Sequence, residues 1–257
     1  MTEPLYLEDS TVRTFEATVE RADGERVVLD RTHFYPTGGG QPHDTGVLRT
    51  DGGRARVVDV QGRNVIHHTL EGEVPEPGTT VRGELDWERR LAHMRYHTAQ
   101  HLLSALLLAE YDAPTVGNQL YADHARLDCR YPRFDERDLD DVERRLNELI
   151  DEGRPVRWYT LERESAEREL DPKRTRLDLL PESITEVRIV EIGTEHESES
   201  ESGGPNGRRS AAGEAYDRTA CAGTHVSNTA DIGRATVTGR RTQGSDGERL
   251  EFVLGDE

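Results

Sequence analysis

Between Thr11 and Asp86 the apolar residues fall in short alternating runs, and near Trp87 that pattern stops. Val12, Phe15 and Val19 are followed by Ala-Asp-Gly at 22–24 and then by Arg26 to Leu29. Further runs sit at Val47–Leu48, Ala55–Val60, Val65–Leu70 and Val81–Leu85, separated by Asp51-Gly52-Gly53, Gln61-Gly62 and Pro75 to Gly78. A period of two broken by turn residues marks half-buried strands. About five or six strands at this spacing predict a small β-barrel or sandwich. From Glu88 to Tyr111 there is no Gly or Pro and helix formers dominate, which predicts one helix of about 22 residues.

Beyond it the periods mix. Thr115 to Tyr131 reads as two strands around Asp123. Asp135 to Asp151 is an amphipathic helix with Leu139, Val142, Leu146, Leu149 and Ile150 on one side, stopped by Gly153-Arg154-Pro155. Val156 to Leu161 and Thr185 to Ile192 read as strands with a short polar helix between them, and Arg234 to Gly239 and Arg249 to Leu254 as a closing pair. The Glu/Ser/Gly tract at 195–215 holds only small apolar residues and is expected to be a disordered insert. The expected architecture is α+β, with a β-barrel domain at 1–87 followed by an α+β domain at 88–257.

Composition narrows where such a chain works. Leu, Ile, Val and Phe supply only 53 of 257 residues and the net charge is −18, a balance near that of disordered chains. The periodic placement of the apolar residues removes that concern for most of the chain. Lys173 is the only lysine; every other cation is arginine. Excess carboxylate with almost no lysine fits adaptation to strong salt, where the Debye length is about 3 Å; a GC-rich coding sequence also favours Arg over Lys. The longest apolar run, Leu102 to Ala109 interrupted by Ser104, is far short of the roughly 20 residues that span a bilayer. The start Met-Thr-Glu-Pro lacks the basic and apolar regions of an export signal. With Cys129 and Cys221 the only cysteines, a cytoplasmic location and no membrane partner are expected.

Two separated pairs carry chemistry. His97 and His101 are four apart on the predicted helix, so both imidazoles share one face. Zinc peptidases place a Glu directly after the first His; here Thr98 stands there, which disfavours that activity. His93 extends the stripe by one turn. Cys221-Ala-Gly-Thr-His225 spaces a thiolate and an imidazole across a tight loop. Each pair also has an ordinary reading, as a packed histidine stripe and as a buried cysteine beside a stray histidine. Together they offer His, His, Cys and His, a set zinc favours. Cys129, beside Leu127, reads as core. A third feature, Phe34-Tyr-Pro-Thr-Gly-Gly-Gly-Gln-Pro-His-Asp-Thr-Gly46, lacks the Gly-Lys-Ser/Thr ending and the strand-to-helix context of nucleotide loops. It reads as a shaped loop that brings backbone and polar groups close to a ligand.

Taken in order, Phe-Tyr-Pro-Thr-Gly-Gly-Gly-Gln-Pro, His-Thr-Ala-Gln-His-Leu-Leu and Cys-Ala-Gly-Thr-His-Val resemble the AlaX family, free-standing relatives of the editing domain of alanyl-tRNA synthetase, of the medium-length type with a Gly-rich loop. The resemblance covers about residues 5–255 and includes Leu179-Leu-Pro-Glu-Ser. It implies the threonyl/alanyl-tRNA synthetase common-domain fold for the second domain. It also implies one zinc ion on His97, His101, Cys221 and His225 as the catalytic centre, and hydrolysis of mischarged tRNA(Ala), chiefly the serine ester. The Gly-rich loop is associated in the family with recognising the wrong amino acid. The chain departs from the pattern at Ala222, where Gly is usual and a positive φ would be restricted, and in the 195–215 insert.

A site that hydrogen-bonds a serine hydroxyl leaves polar groups unpaired when alanine enters, a strong filter. Thr37, Gly38, Gly39, Gly40, Gln41, Asp44, Thr98, Asn118 and Gln119 are the candidate substrate contacts, with surface placement as the ordinary alternative for the polar side chains. RNA phosphates need cations, and Arg89, Arg90 and Arg95, flanking the histidine helix, are the candidates, unless carboxylates such as Glu88 occupy them. A zinc-stabilised tRNA-binding module without catalysis is the rival reading. An aminoacylating synthetase is disfavoured because barrel and editing segments fill the sequence. The acidity predicts a protein folded in molar salt and weakened in dilute buffer. Circular-dichroism melts across a salt series check this; equal melting temperatures at both ends would refute it.

Overall fold

The computed structural model describes residues 1–193, 215–244 and 246–255. The expected insert at 195–215 lies outside them but for its last residue. Two compact units emerge: residues 1–94 together with 120–122 and 223–225, and the remaining described chain.

In the first unit, β1 (Glu3–Pro4) pairs in parallel with β4 (Arg31–Thr32). A closed barrel runs through β2 (Thr14–Asp23), β3 (Arg26–Leu29), β7 (Ile66–Gly72), β6 (Arg54–Gly62), β5 (Gly46–Arg49) and β8 (Thr80–Leu85) in that spatial order. Closure removes the open sheet edges that a short-stranded sheet would otherwise expose. The alternation seen in sequence is the barrel's inside and outside: Phe15, Ala17 and Val19 on β2 and Ile66 and Leu70 on β7 are buried. On β6 the buried positions run Ala55, Val57, then Val60, because the register shifts between Val57 and Asp59. His68 joins this interior, with Nε2 at 2.9 Å from the Thr32 hydroxyl; burial pushes its pKa down to about 4, so the ring is neutral.

In the second unit β9 (Thr115–Leu120, whose last residue counts with the first unit), β10 (Ala125–Cys129), β14 (Arg234–Thr242) and β15 (Glu248–Gly255) form a sheet in the order β14-β15-β10-β9. A second sheet, β11-β12-β13, joins Val156–Glu162, Glu186–Ile192 and Asp217–Ala220. The strand Asp217–Ala220 escaped the sequence reading because its buried residues, Asp217 and Thr219, are polar and give no apolar alternation. Helix α2 (Glu136–Asp151) starts with a capping box between Asp135 and Asp138 and buries Val142, Leu146, Leu149 and Ile150; Leu139 is half-buried. Gly153, with φ of 63°, follows its end as expected. On α2, Asn147 both donates to the Ala235 carbonyl (2.8 Å) and accepts from the Ala235 N–H (2.9 Å), pinning the helix to β14. The short helix α3 (Arg163–Glu169) covers an apolar cluster with Val187 and Ile189.

The long helix α1 (Trp87–Tyr111) begins with Asp86, whose carboxylate accepts from the Arg89 N–H at 3.3 Å. Its fourth residue, Arg90, is 0% exposed. The guanidinium pairs with the equally buried Asp44, with Nε 3.0 Å from Oδ2, and also donates to the carbonyls of Ser10 and His33. Two sequence expectations therefore give way. Arg90 is sealed from any phosphate and Asp44 from any substrate, because each neutralises the other inside the fold. Asp44→Ala leaves a buried, unpaired guanidinium and is expected to destabilise by about 3–5 kcal/mol. Much of that loss should return in Asp44→Ala/Arg90→Met. Urea melts in molar salt check both; a loss under about 1 kcal/mol for Asp44→Ala would contradict the pair's role.

Candidate metal centre

The i, i+4 spacing on α1 sets the His97 and His101 rings 5.3 Å apart, centroid to centroid. Cys221 follows the end of β13, where its N–H donates to the Arg188 carbonyl (3.0 Å) and its own carbonyl accepts from Arg188 Nη1 (2.8 Å). Four residues on, His225 is buried. One donor atom from each of His97, His101, Cys221 and His225 lies within 4.8 Å of all the others, and the Cys221 Sγ is 3.5 Å from His97 Nε2. Among the described residues this is the group of His, Cys, Asp and Glu side chains close enough to share a metal ion.

The surroundings fit such an ion. His101 Nδ1 sits 3.3 Å from Asp217 Oδ2, leaving Nε2 as the ring's other donor. A carboxylate behind a ligand imidazole fixes its orientation and raises its basicity. Asp217 is held in turn by Arg174, at 2.7 Å from Nε to Oδ1 and 2.7 Å from Nη2 to Oδ2. Burial works against charge on the His101 ring, yet the facing Cys221 sulfur and the Asp217 carboxylate outweigh it and its pKa rises. Burial likewise opposes the Asp217 charge, but Arg174 and His101 hold its pKa below the usual carboxylate range. Asp217 was missed in the sequence because nothing in Asp-Arg-Thr-Ala marks an acid that faces a histidine on a distant helix. Cys129 stays out of the site: it is buried on β10, and burial pushes its thiol up to about 12.

Thr98 is buried, and its hydroxyl accepts from the Val226 N–H at 3.3 Å, so it anchors the chain just after His225; this replaces its expected role as a substrate contact. Ala222 is exposed and is not among the residues with positive φ, so the departure from Gly carries no backbone strain. His93, the third histidine of the stripe, is buried, with a pKa pushed down to about 4 by burial, and stands outside the group.

The Gly-rich segment is a closed turn. Gly38 and Gln41 exchange two backbone hydrogen bonds, at 3.0 and 2.9 Å, across Gly39 (φ 57°) and Gly40 (φ 83°). Two central residues at positive φ form the turn for which glycine is the natural choice. Asp44 ties the base of the loop, accepting from the Tyr35 N–H at 2.7 Å. Gln41 is 0% exposed, with both ends of its amide on Thr224 at 2.9 and 3.1 Å, which replaces its expected role as a substrate contact. Thr37 and Gly39 are exposed and Gly38 and Gly40 half-buried. Thr37 Oγ1 lies 3.2 Å from His43 Nδ1 and accepts from Gln61 Nε2 at 3.3 Å. Asn118 is exposed and donates to Gln100 Oε1 at 3.2 Å; Gln119 is half-buried, and its carbonyl accepts from Gln100 Nε2.

Of the arginines named from sequence beside Arg90, Arg95 spends Nε on the Ile232 carbonyl (2.7 Å) and Nη2 on the Gly255 carbonyl (3.1 Å). These two bonds fix its side chain within the second unit, and it is half-buried. Arg89 is half-buried and gives Nε to the His43 carbonyl at 3.0 Å.

Residues 7–89 match the family model of class II (A) tRNA synthetases, and residues 187–251 match the threonyl and alanyl tRNA synthetase second additional domain. The barrel segment and the later part of the α+β unit are therefore similar to domains of tRNA synthetases. The chain is 38% identical over 264 residues to the alanyl-tRNA editing protein AlaX-M of Methanosarcina barkeri, covering 100% of both chains. It is 37% identical to AlaX-M of Methanosarcina mazei, covering 100% of this chain and 98% of that one. It is also 36% identical over 261 residues to the alanine–tRNA ligase of Thermococcus kodakarensis, of whose length it spans only 26%. The chain belongs to the AlaX-M family of alanyl-tRNA editing proteins.

The geometry predicts the order of damage. Asp217→Ala should weaken Zn(II) affinity by about 10–100-fold, and Cys221→Ala, which removes a donor outright, by more. Competition with a chromophoric chelator measures both; parent-like affinity for Cys221→Ala would remove the group as a metal centre.

Proposed function

We propose that the chain is a zinc-dependent deacylase that acts in trans on mischarged tRNA(Ala), chiefly the serine ester. The observation that carries this reading is the close approach of four zinc-type donors, His97, His101, Cys221 and His225, in a chain matched end to end by alanyl-tRNA editing proteins. An aminoacyl ester is already reactive, so the site has mainly to position a water and support an oxyanion. When bound, the zinc ion supplies Lewis-acid polarisation at this site.

The chain's own residues do the rest. Asp217, backed by Arg174, holds His101 in one orientation, and Arg188 and Thr98 fix the chain at either end of the Cys221–His225 loop. Selection of serine over alanine rests on hydrogen bonds to the hydroxyl that alanine cannot return. With Gln41, Asp44 and Thr98 engaged inside the fold, the candidates for that task are Thr37, the backbone of Gly38 to Gly40, Asn118 and Gln119. Arg89 and Arg95, both half-buried, remain the candidate phosphate contacts among the three arginines named from sequence. We assign the reaction to the cytoplasm, a reading that the two cysteines support, and to high salt, which the net charge of −18 and the single lysine support.

One observation favours a second reading. Four protein donors fill a tetrahedral shell, as in structural zinc sites; the chain would then be a zinc-stabilised tRNA-binding module without turnover. Deacylation assays on serine-, glycine- and alanine-charged tRNA(Ala) at several salt concentrations separate the two. The deacylase releases serine and spares alanine, with activity rising towards molar salt. Binding of tRNA with ester loss no faster than in buffer would establish the module instead.

A further inference from the structure

We infer that Gln41 is a positioning residue for the metal-binding loop: the glycine-rich turn that carries it holds Thr224, the neighbour of His225. This rests on the metal reading above and goes beyond it by giving the hairpin a mechanical task.

A primary amide side chain that is wholly buried is tolerated only when its donor and acceptor ends are both satisfied. Gln41 directs both ends at one residue. Its Nε2 donates to the Thr224 hydroxyl at 2.9 Å, and its Oε1 accepts from the Thr224 N–H at 3.1 Å. Thr224 is itself 0% exposed. A two-point hold on a residue's hydroxyl and backbone N–H fixes both its side-chain rotamer and the peptide plane that precedes it. The next residue is His225, and the direction of its ring follows from the backbone that Gln41 holds.

A clamp works only if its own base is rigid, and here every connection is made. The turn that carries Gln41 is closed by its two hydrogen bonds with Gly38, and its shape requires positive φ at Gly39 and Gly40. The Gly40 carbonyl accepts from the Leu120 N–H at 2.9 Å, which fixes the tip of the turn. Three residues beyond Gln41, Asp44 is locked to Arg90 and to the Tyr35 N–H. The glycines are thus needed for the turn that aims Gln41.

The test uses the full chain and cobalt(II), whose ligand-field absorption reports the geometry of a thiolate–imidazole site. Parent, Gln41→Met, Thr224→Val and the double variant are titrated with Co(II). Hydrogen–deuterium exchange of the 221–225 segment is followed without metal. Each single variant should bind Co(II) about 10–100-fold more weakly, with an altered absorption band and faster exchange at the Thr224 amide. The double variant should be no worse than the poorer single variant, because the two residues form one unit. Thr224→Ser, which keeps both groups, should behave as the parent does. Gln41→Met with parent affinity, spectrum and exchange would overturn the inference. If Gln41→Met fails to fold, Thr224→Val against Thr224→Ser decides by the same readouts. A parent that takes up no Co(II) would defeat the metal reading instead, and metal-free exchange would still decide whether Gln41 holds the loop.

Discussion

Two full charges buried against each other, Arg90 and Asp44, set the frame on which the histidine helix and the glycine-rich loop are built. Burying such a pair is expensive unless the remaining donors are also matched, and here the Ser10 and His33 carbonyls take the rest of the guanidinium. The pair ties the first turn of α1 to the loop at residues 34–46, and His97 follows Arg90 by two helical turns. Most charges of this chain lie at the surface, where strong salt screens them. This pair is out of reach of solvent ions, so it can hold register in brine and in dilute buffer alike.

The candidate centre shows a similar economy of means. Each half of the ligand set comes from an element with its own anchor: α1 brings two histidines at fixed spacing, and the loop after β13 brings a cysteine and a third histidine. Asp217 and Arg174 stand behind His101, while Arg188 and Thr98 brace the Cys221–His225 loop. Supports of this kind restrict the candidate ligands, which lowers the ordering cost of binding an ion. The same restriction suits a hydrolase whose substrate bond is already labile, since accurate placement is most of what such a reaction lacks.

Much of this was legible in the sequence, for definite physical reasons. The barrel strands announce themselves because one face is wet and one dry, and the two longer helices because good formers run between clear stops. The candidate metal ligands were readable because helical spacing and a short loop each force a pair together. What could not be read were polar residues that satisfy one another across long separations. Gln41 and Asp44 sit in a glycine-rich loop and look like ligand contacts until Thr224 and Arg90 are found opposite them, 183 and 46 residues away. Asp217 and Thr219, the buried residues of their strand, are both polar, so periodicity was blind to it. Arg95 and Thr98 share the histidine helix, yet their partners are backbone groups near the far end of the chain. A sequence displays which residues are polar but not which have already found partners.

The neutral imidazole inside the barrel has a further consequence. In the unfolded chain His68 would accept a proton near its ordinary pKa of 6.5, whereas in the barrel it declines one until about 4. Between those values the unfolded state binds more protons, so stability is lost as the pH falls, by up to about 1.4 kcal/mol per pH unit for this ring. Above 6.5 the contribution is complete and constant. A chain with 51 carboxylates invites the view that acid attacks it through its acidic surface. Over the first two units of acidification, before most of those carboxylates titrate, the weak points are instead buried imidazoles, among them His68 in the barrel and His93 on α1, both pushed down to about 4 by burial.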